Sequence, residues 1–352
     1  ASQVGVFDDP ARDSMPEVLL NKPDGGVIGF ISATRVGFHS SNMKLAYEFH
    51  RRMYRSPENH VPVGLALTVG KILADVGEGP SERGNVQRYS LMGDPALRLA
   101  RPRLIVEIDG PLEVKAFEEV TITGRVMDEA GNFDADRSGS VWVQAFDSTA
   151  RSTIEGQHYL EIGVPLFRGL APVVDGRFTA IYRVPKDIAY TREGLGRVSA
   201  YVWSEDEPTA YGSLEGIVVA GTDLSVTLDE EGPSVTFGFG GQSGFTSGDF
   251  VSSRPTLEAV ISDPAGINIT EEIGHEIEVT VDGESSKVTE SFSSRDGSYQ
   301  TGILEYELPE LEPGSHDIRL KVWDNFNNSS TAEAVVQVAD EDAMHPFIQI
   351  YG

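Results

Sequence analysis

At Arg101-Pro102-Arg103 the hydrophobic pattern changes period, and this change restricts the fold more than any other property of the chain. Leu104, Val106 and Ile108 alternate with Ile105, Glu107 and Asp109, the two-residue repeat of a half-buried strand. Val120, Ile122 and Gly124 continue it, Val141–Phe146 forms another run, and Phe178, Ala180, Tyr182 and Val184 lead up to Pro185. Val198, Ala200 and Val202 alternate before Ser204. Turn sequences, Asp128-Glu129-Ala130-Gly131-Asn132 and Asp175-Gly176, separate these runs. Many short strands at such spacing predict an immunoglobulin-like β-sandwich over residues 103–222.

The same grammar predicts a second immunoglobulin-like β-sandwich over residues 223–340, with strands at Thr256–Ser262, Ile277–Val281, Ile303–Leu308 and Ile318–Trp323. Asp282-Gly283 is a strong hairpin signal and Pro313-Gly314 another turn. Residues 120–131 parallel residues 255–266: a strand, an Asp and a tight Gly turn. Shared strand-turn chemistry and true duplication both account for this. Residues 341–352 are acidic, then apolar, and read as a tail.

Ahead of Arg101 the pattern is that of an α/β layer. Val27–Ile31 is a continuous apolar run after Asp24-Gly25-Gly26, which predicts a strand buried on both faces, as in a parallel sheet. Ser32 to Asn42 leaves its carboxyl end, where open α/β sheets place ligands. A helix is expected over residues 42–55, capped by Ser40, Ser41 or Asn42, with Leu45, Phe49 and Met53 on one face and Glu48 paired to Arg52. A second is expected from Pro62, with Leu65, Val69, Ile72, Leu73 and Val76 as its apolar stripe, ending at Gly77-Glu78-Gly79-Pro80.

Charge changes at the same boundary. Residues 1–100 hold 11 Lys/Arg and 11 Asp/Glu, so the whole net charge of -27 lies behind them. Such acidity argues against nucleic acid as a partner, because phosphate binding needs clustered cations. No apolar run approaches the roughly 20 residues of a membrane helix. The given residues do not open on a basic-then-apolar signal sequence, and the opening Ala1-Ser2-Gln3 suits a chain cut from a longer one. The absence of cysteine excludes disulfides and thiolate metal sites.

Several motifs fail on spacing. Gly64 to Lys71 is one residue too long for a phosphate-binding loop and lacks its Ser/Thr. The glycines at 238, 240, 241 and 244 miss the dinucleotide pattern. No cofactor is expected. Asp324-Asn325-Phe326-Asn327-Asn328 offers oxygen ligands for calcium but lacks the Gly and Glu of an EF-hand loop, and reads as the turn after the Trp323 strand. Asn268-Ile269-Thr270 and Asn328-Ser329-Ser330 match glycosylation sequons.

Three segments of the first hundred residues carry a family likeness: Phe7-Asp8-Asp9-Pro10, Gly25 to Arg35, and Leu91-Met92-Gly93-Asp94-Pro95-Ala96-Leu97-Arg98-Leu99. Together they resemble the gingipain-type cysteine peptidases. Asp175-Gly176-Arg177-Phe178, Gly266-Ile267-Asn268 and Leu311 to His316 extend the likeness toward the sortase members of that family. The resemblance implies that residues 1–102 are the C-terminal part of a caspase-like (gingipain-like) α/β peptidase domain. It also implies a Cys nucleophile assisted by an upstream His. Laid over the family motif, the nucleophile falls at about Ser2, which is a replaced cysteine, a natural loss, or an ordinary residue beside a misplaced alignment. Thr34, Arg35, Phe38 and His39 lie on the loop that in the family forms part of the substrate-pocket wall. Asp94 reads either as the cap of a short helix starting at Pro95 or as a catalytic acid.

The resemblance further implies an exported, outer-membrane-associated protein at the bacterial surface. Its work would be to cut C-terminal sorting domains from type IX secreted cargo and pass the new end to a lipid-linked sugar. The implied partners are that cargo and outer-membrane secretion subunits. The isolated chain is expected to be inactive. The alternative is a non-catalytic surface binding or scaffold module built on the sandwiches.

Overall fold

The computed structural model describes residues 4–23, 25–55, 61–76, 80–100, 102–154, 157–186, 188, 191–205, 208–240, 242, 244–271 and 274–339. The chain is mostly β and divides into two compact units, Ala1–Arg101 and Pro102–Gly352.

The first unit runs α1 (Met15–Leu20), β1 (Gly29–Ala33), α2 (His39–Arg55), α3 (Val63–Asp75), α4 (Pro80–Gln87) and β2 (Tyr89–Gly93). The short α1 starts at Ser14, whose N–H and hydroxyl both donate to the Glu17 carboxylate (2.8 and 2.7 Å), the reciprocal reach of a capping box. β1 corrects the expectation of a parallel strand buried on both faces. It pairs antiparallel with β2, from Gly29 opposite Gly93 to Ala33 opposite Tyr89, and only Ser32 and Ala33 are buried. A continuous apolar run does not encode the direction of its partner, and here that partner returns through three helices.

α2 begins at His39, earlier than the cap residues suggest, and buries Leu45 and Met53 as expected. Glu48 pairs with Arg51 at i+3 (2.8 Å). α3 is rotated relative to expectation. It buries Val63, Ala66, Leu67, Gly70 and Ala74, while Leu65 (46%), Ile72 (60%) and Val76 (66%) are exposed. The cause is close helix packing. A Cβ on Gly70 would stand 3.2 Å from the Phe49 nitrogen, so the small-residue face lets α3 lie against α2 and the larger apolar side chains turn outward.

Gly93-Asp94-Pro95 has a structural role. Gly93 ends β2 at φ +129°, where a Cβ would meet Gly29 Cα and Ile28 O at 3.0 Å. Asp94 Oδ1 then accepts the Ala96 N–H (2.8 Å). This closes a turn in place of the expected short helix. The turn presents the carbonyls of Leu97 and Pro95 to the N–H groups of Val63 and Gly64, both at 2.9 Å. Those are N–H groups that the first turn of α3 leaves unsatisfied.

The second unit is β apart from one 3-10 turn, Thr289–Ser291, among its described residues. Its first half carries β3 (Leu104–Asp109), β4 (Glu113–Ala116), β5 (Glu119–Met127), β6 (Gly139–Phe146), β7 (Ala150–Ile154), β8 (Gln157–Glu161), β9 (Pro165–Val173), β10 (Arg177–Arg183), β11 (Thr191–Trp203) and β12 (Ala210–Thr222). Its second half carries β13 (Ser234–Phe239), β14 (Phe250–Val251), β15 (Thr256–Ser262), β16 (Glu278–Val281), β17 (Glu284–Lys287), β18 (Phe292–Ser294), β19 (Thr301–Glu307), β20 (Gly314–Trp323) and β21 (Ser329–Val338).

The two halves repeat one strand order. In the first, β10-β5-β3 forms one ladder and β12-β11-β6-β9 another, with β4 parallel to β12. In the second, β13-β15-β19-β18 and β21-β20-β16-β17 form the ladders, with β14 parallel to β21. Within the first half the parallel pairs Leu104–Ala210 and Ile105–Tyr211 join β3 of one ladder to β12 of the other. Strict alternation places Val106, Ile122, Val143, Val198 and Val219 in one core and Leu257, Ile261, Leu304, Leu320 and Val336 in the other.

The halves are joined into one body. β9 and β18 meet in parallel at Gly169–Ser294. Tyr299, from the second half, belongs to the first core, and Phe117 stacks on Phe326 with ring centroids 4.5 Å apart. The Asp282-Gly283 hairpin forms as expected, with φ of +50° and +91°. Asn268 is fully buried and its amide donates to Asn327, so this sequon presents no free acceptor. The expected tail at 341–352 lies outside the described residues.

Candidate functional site

The residues singled out by the family likeness converge on the connection between β1 and α2. Thr34 follows β1 and bonds twice to the Arg88 carbonyl, through its N–H (2.8 Å) and its hydroxyl (3.0 Å). This fixes the loop to the end of α4. Asn85, fully buried on α4, accepts the Phe38 N–H on Oδ1 (2.7 Å) and donates from Nδ2 to Asn42 Oδ1 (2.8 Å). Gly37 fits between these amides, since a Cβ there would stand 2.8 Å from Asn85 Oδ1.

Arg35 leaves this loop for solvent and is met by Asp8. The fork is two-pronged, Nη1 to Oδ1 at 3.0 Å and Nη2 to Oδ2 at 2.6 Å. The hydrogen bond from Arg35 holds the Asp8 carboxyl below its ordinary range and raises the guanidinium in return. Both side chains are about half exposed at 52%, so water screens the pair and its contribution to stability is small. Phe38 is exposed, with the Arg88 guanidinium 5.8 Å from its ring centre. Arg88 also donates to the Val36 carbonyl. His39 is the exposed first residue of α2. Ser2 lies outside the described residues.

Thr34, Arg35 and Phe38 therefore share one short loop braced from α4, with Asp8 set against Arg35. Sequence reasoning missed Asp8, Asn42, Asn85 and Arg88. Asp8 stood inside a recognised motif, but nothing in its spacing pointed to Arg35. Asn85 carried no signal, since a buried amide that ties a loop to a helix is defined by the fold around it. The loop thus carries a guanidinium already holding one carboxylate and, three residues on, an exposed aromatic ring with the Arg88 guanidinium near it, groups suited to binding.

Residues 2–100 match the family model for peptidase family C25. Through this unit the chain is related to the gingipain-type cysteine peptidases. The whole chain is similar to dimeric latent PorU from Porphyromonas gingivalis, at 27% identity and a TM-score of 0.44, covering 92% of this chain and 32% of that one. It thus spans about a third of the length of PorU. A Salmonella alpha-2-macroglobulin variant is similar at 13% identity and a TM-score of 0.23, covering 71% of this chain and 17% of the other. A putative superoxide reductase from Thermotoga maritima follows at 14% identity and a TM-score of 0.20, covering 34% of this chain and 88% of the other. No curated protein matches the chain. No helix among the described residues is long and apolar enough to cross a membrane.

Proposed function

We propose that this chain is the C-terminal part of a sortase-type cysteine endopeptidase that cuts C-terminal sorting signals from type IX secreted cargo at the bacterial cell surface. The match of residues 2–100 to peptidase family C25 carries this reading. A thiolate nucleophile requires a cysteine, and these 352 residues hold none. The chain by itself is therefore inactive as a cysteine peptidase. Ser2, the position nearest the family nucleophile, does not replace it, since a serine hydroxyl needs a positioned base. Thr34, Arg35, Phe38 and His39 line part of the cargo pocket, and a cargo carboxylate engages Arg35 by displacing Asp8. The two β cores are immunoglobulin-like sandwiches, at 103–222 and 223–340, which dock the protease on outer-membrane secretion subunits or shape the cargo path.

A non-catalytic surface scaffold is the second reading. The Asp8–Arg35 fork favours it, because the guanidinium that a cargo carboxylate needs is already engaged. Incubating the chain with peptide substrates tests the first reading and is expected to give no product. Turnover that survives purification and disappears in Ser2→Ala overturns it. The coding sequence upstream of Ala1 separates the two readings: a His and a Cys in frame favour the enzyme, and a frame without them favours the scaffold.

A further inference from the structure

Two turns of the second β core lie against each other with their acidic residues facing inward. Asp324 opens the turn from β20 to β21. Its Oδ1 accepts the N–H groups of Phe326 (2.9 Å) and Asn328 (2.7 Å), and its Oδ2 accepts Asn328 Nδ2 (2.8 Å). Asp263 opens the turn after β15, and its Oδ1 accepts the Ala265 N–H at 2.6 Å. The turns are sewn together by Asn268 N–H to Trp323 O (2.9 Å) and Asn325 N–H to Gly266 O (3.0 Å). Asn328 Nδ2 also reaches the Asp229 carbonyl at 2.9 Å, which brings a third segment to the same place.

One carboxylate oxygen each from Asp229, Asp263 and Asp324 consequently lies within 4.8 Å of the others. Asp263 is 4% exposed and Asp324 is 0% exposed. Burial pushes Asp263 up to about 6, with Asp324 and Asp229 adding to the rise. Burial raises Asp324 as well. Buried carboxylates in folded proteins are paired with cations or coordinate metals.

A separate observation indicates what is missing. Asn325 is 1% exposed, and its Nδ2 is fixed on the Ala265 carbonyl (3.0 Å), within the turn that Asp263 opens. Its Oδ1 meets no donor among the described residues. The large majority of buried side-chain polar atoms in native structures have a hydrogen-bond partner, protein or ordered water. This oxygen belongs to the residue after Asp324, on the turn that is bonded to the turn Asp263 opens.

We propose that Asp229, Asp263 and Asp324, with the Asn325 side-chain oxygen, form a binding site for one calcium ion that clamps these two turns to the segment at residue 229. The donors are all oxygen, which selects a hard cation over zinc or copper. They come from three separate segments and mix carboxylates with an amide. Such an irregular cage suits calcium, whereas magnesium demands near-ideal octahedral geometry and keeps its waters.

The full 352-residue chain, stripped with a chelator, is titrated with calcium chloride by calorimetry and melted with and without the ion. One calcium per chain is expected, with a rise in the melting midpoint of about 5–10 °C at calcium a hundredfold above Kd. Magnesium at the same concentration gives little shift. Asp263→Asn and Asp229→Asn weaken calcium binding by roughly tenfold or more. Asp128→Asn, in the corresponding turn of the first half, leaves it unchanged. Asp229 is only partly buried, and its Oδ1 accepts the Glu231 N–H at 3.1 Å, so Asp229→Asn decides the matter if Asp263→Asn does not fold. An absent calcium response, an equal response to magnesium, or binding undiminished in Asp229→Asn overturns the proposal.

Discussion

The two β halves of the second unit share a strand order and treat one turn in opposite ways. After β5 the chain turns at Asp128, a half-buried residue whose carboxylate accepts the N–H groups of Ala130 (2.9 Å) and Asn132 (2.7 Å). The Asn132 bond comes first among the causes that hold this carboxyl low. After β15 the chain turns at Asp263, which accepts the Ala265 N–H in the same manner but is buried and pushed up to about 6. The local chemistry is alike. The difference is what covers the turn: Asp263 is roofed by the β20–β21 turn, and its neighbour Ala265 packs with Phe117 and Phe326. A turn motif sets backbone geometry, and burial sets the electrostatics of its side chain.

The largest effect should come from the paired cores. Ile122 on β5 and Leu257 on β15 are both 0% exposed. Truncating either to Ala should cost about 2–5 kcal/mol. Because Tyr299 sits in the opposite core and Phe117 stacks on Phe326, each substitution should shift one common unfolding transition. Urea denaturation of residues 102–339 that resolves two transitions, only one of them moved, would separate the halves.

A smaller contrast lies in the turn glycines. Gly131 (φ +82°) and Gly266 (φ +87°) both occupy the left-handed region. Alanine at 131 meets nothing and should cost about 1 kcal/mol of backbone strain. At 266 its Cβ would fall 2.3 Å from Tyr299 Cδ2 and 2.7 Å from Asn325 Nδ2. Overpacking there should add about 1–3 kcal/mol. Equal losses in a melting comparison of the two variants would show that the second turn is not packed as described.

The smallest difference concerns the other shared turn type. Asp175-Gly176 and Asp282-Gly283 are both tight turns at positive φ, but only Asp282 holds a histidine. His316 Nδ1 lies 2.6 Å from Asp282 Oδ2, a bond that raises the imidazole and lowers the carboxyl. The imidazole's contribution is complete below the ordinary His value of about 6.5 and disappears as pH rises through its raised folded value. The carboxyl's contribution is present above about 3.9 and disappears as pH falls through its lowered value. Between those limits the pair should be worth less than about 1 kcal/mol, being partly exposed. His316→Gln should therefore lose more stability at pH 5.5 than at pH 8.5 in urea titrations. A loss independent of pH would remove the ion pair from the account.

Much of this architecture was legible in advance. Thr256–Ser262 was read with its observed bounds, and the strands at Leu104, Val141 and Ile318 were read from alternation alone. Asp282-Gly283 was legible because positive φ favours those two residues. The buried face of α3 was not, since Leu65 and Ile72 outrank Ala66 and Gly70 in apolarity and only the approach of α2 reverses the order. At the candidate site Thr34, Arg35 and Phe38 are near neighbours in the chain, whereas the residues that meet them are not. Asp8 and Asn85 meet that loop through space, from 27 and 47 residues away.

The sequence by itself determined where strands and turns fall, where one unit ends, and which peptidase family the first hundred residues are related to. These follow from side-chain period, turn stereochemistry and short motifs, all of which act between near neighbours in the chain. Tertiary structure alone decided the antiparallel pairing of β1, the outward face of α3, the carboxylate against Arg35, and the meeting of Asp229, Asp263 and Asp324. Those outcomes depend on which distant segments exclude water from one another, a free energy that no local window of sequence contains.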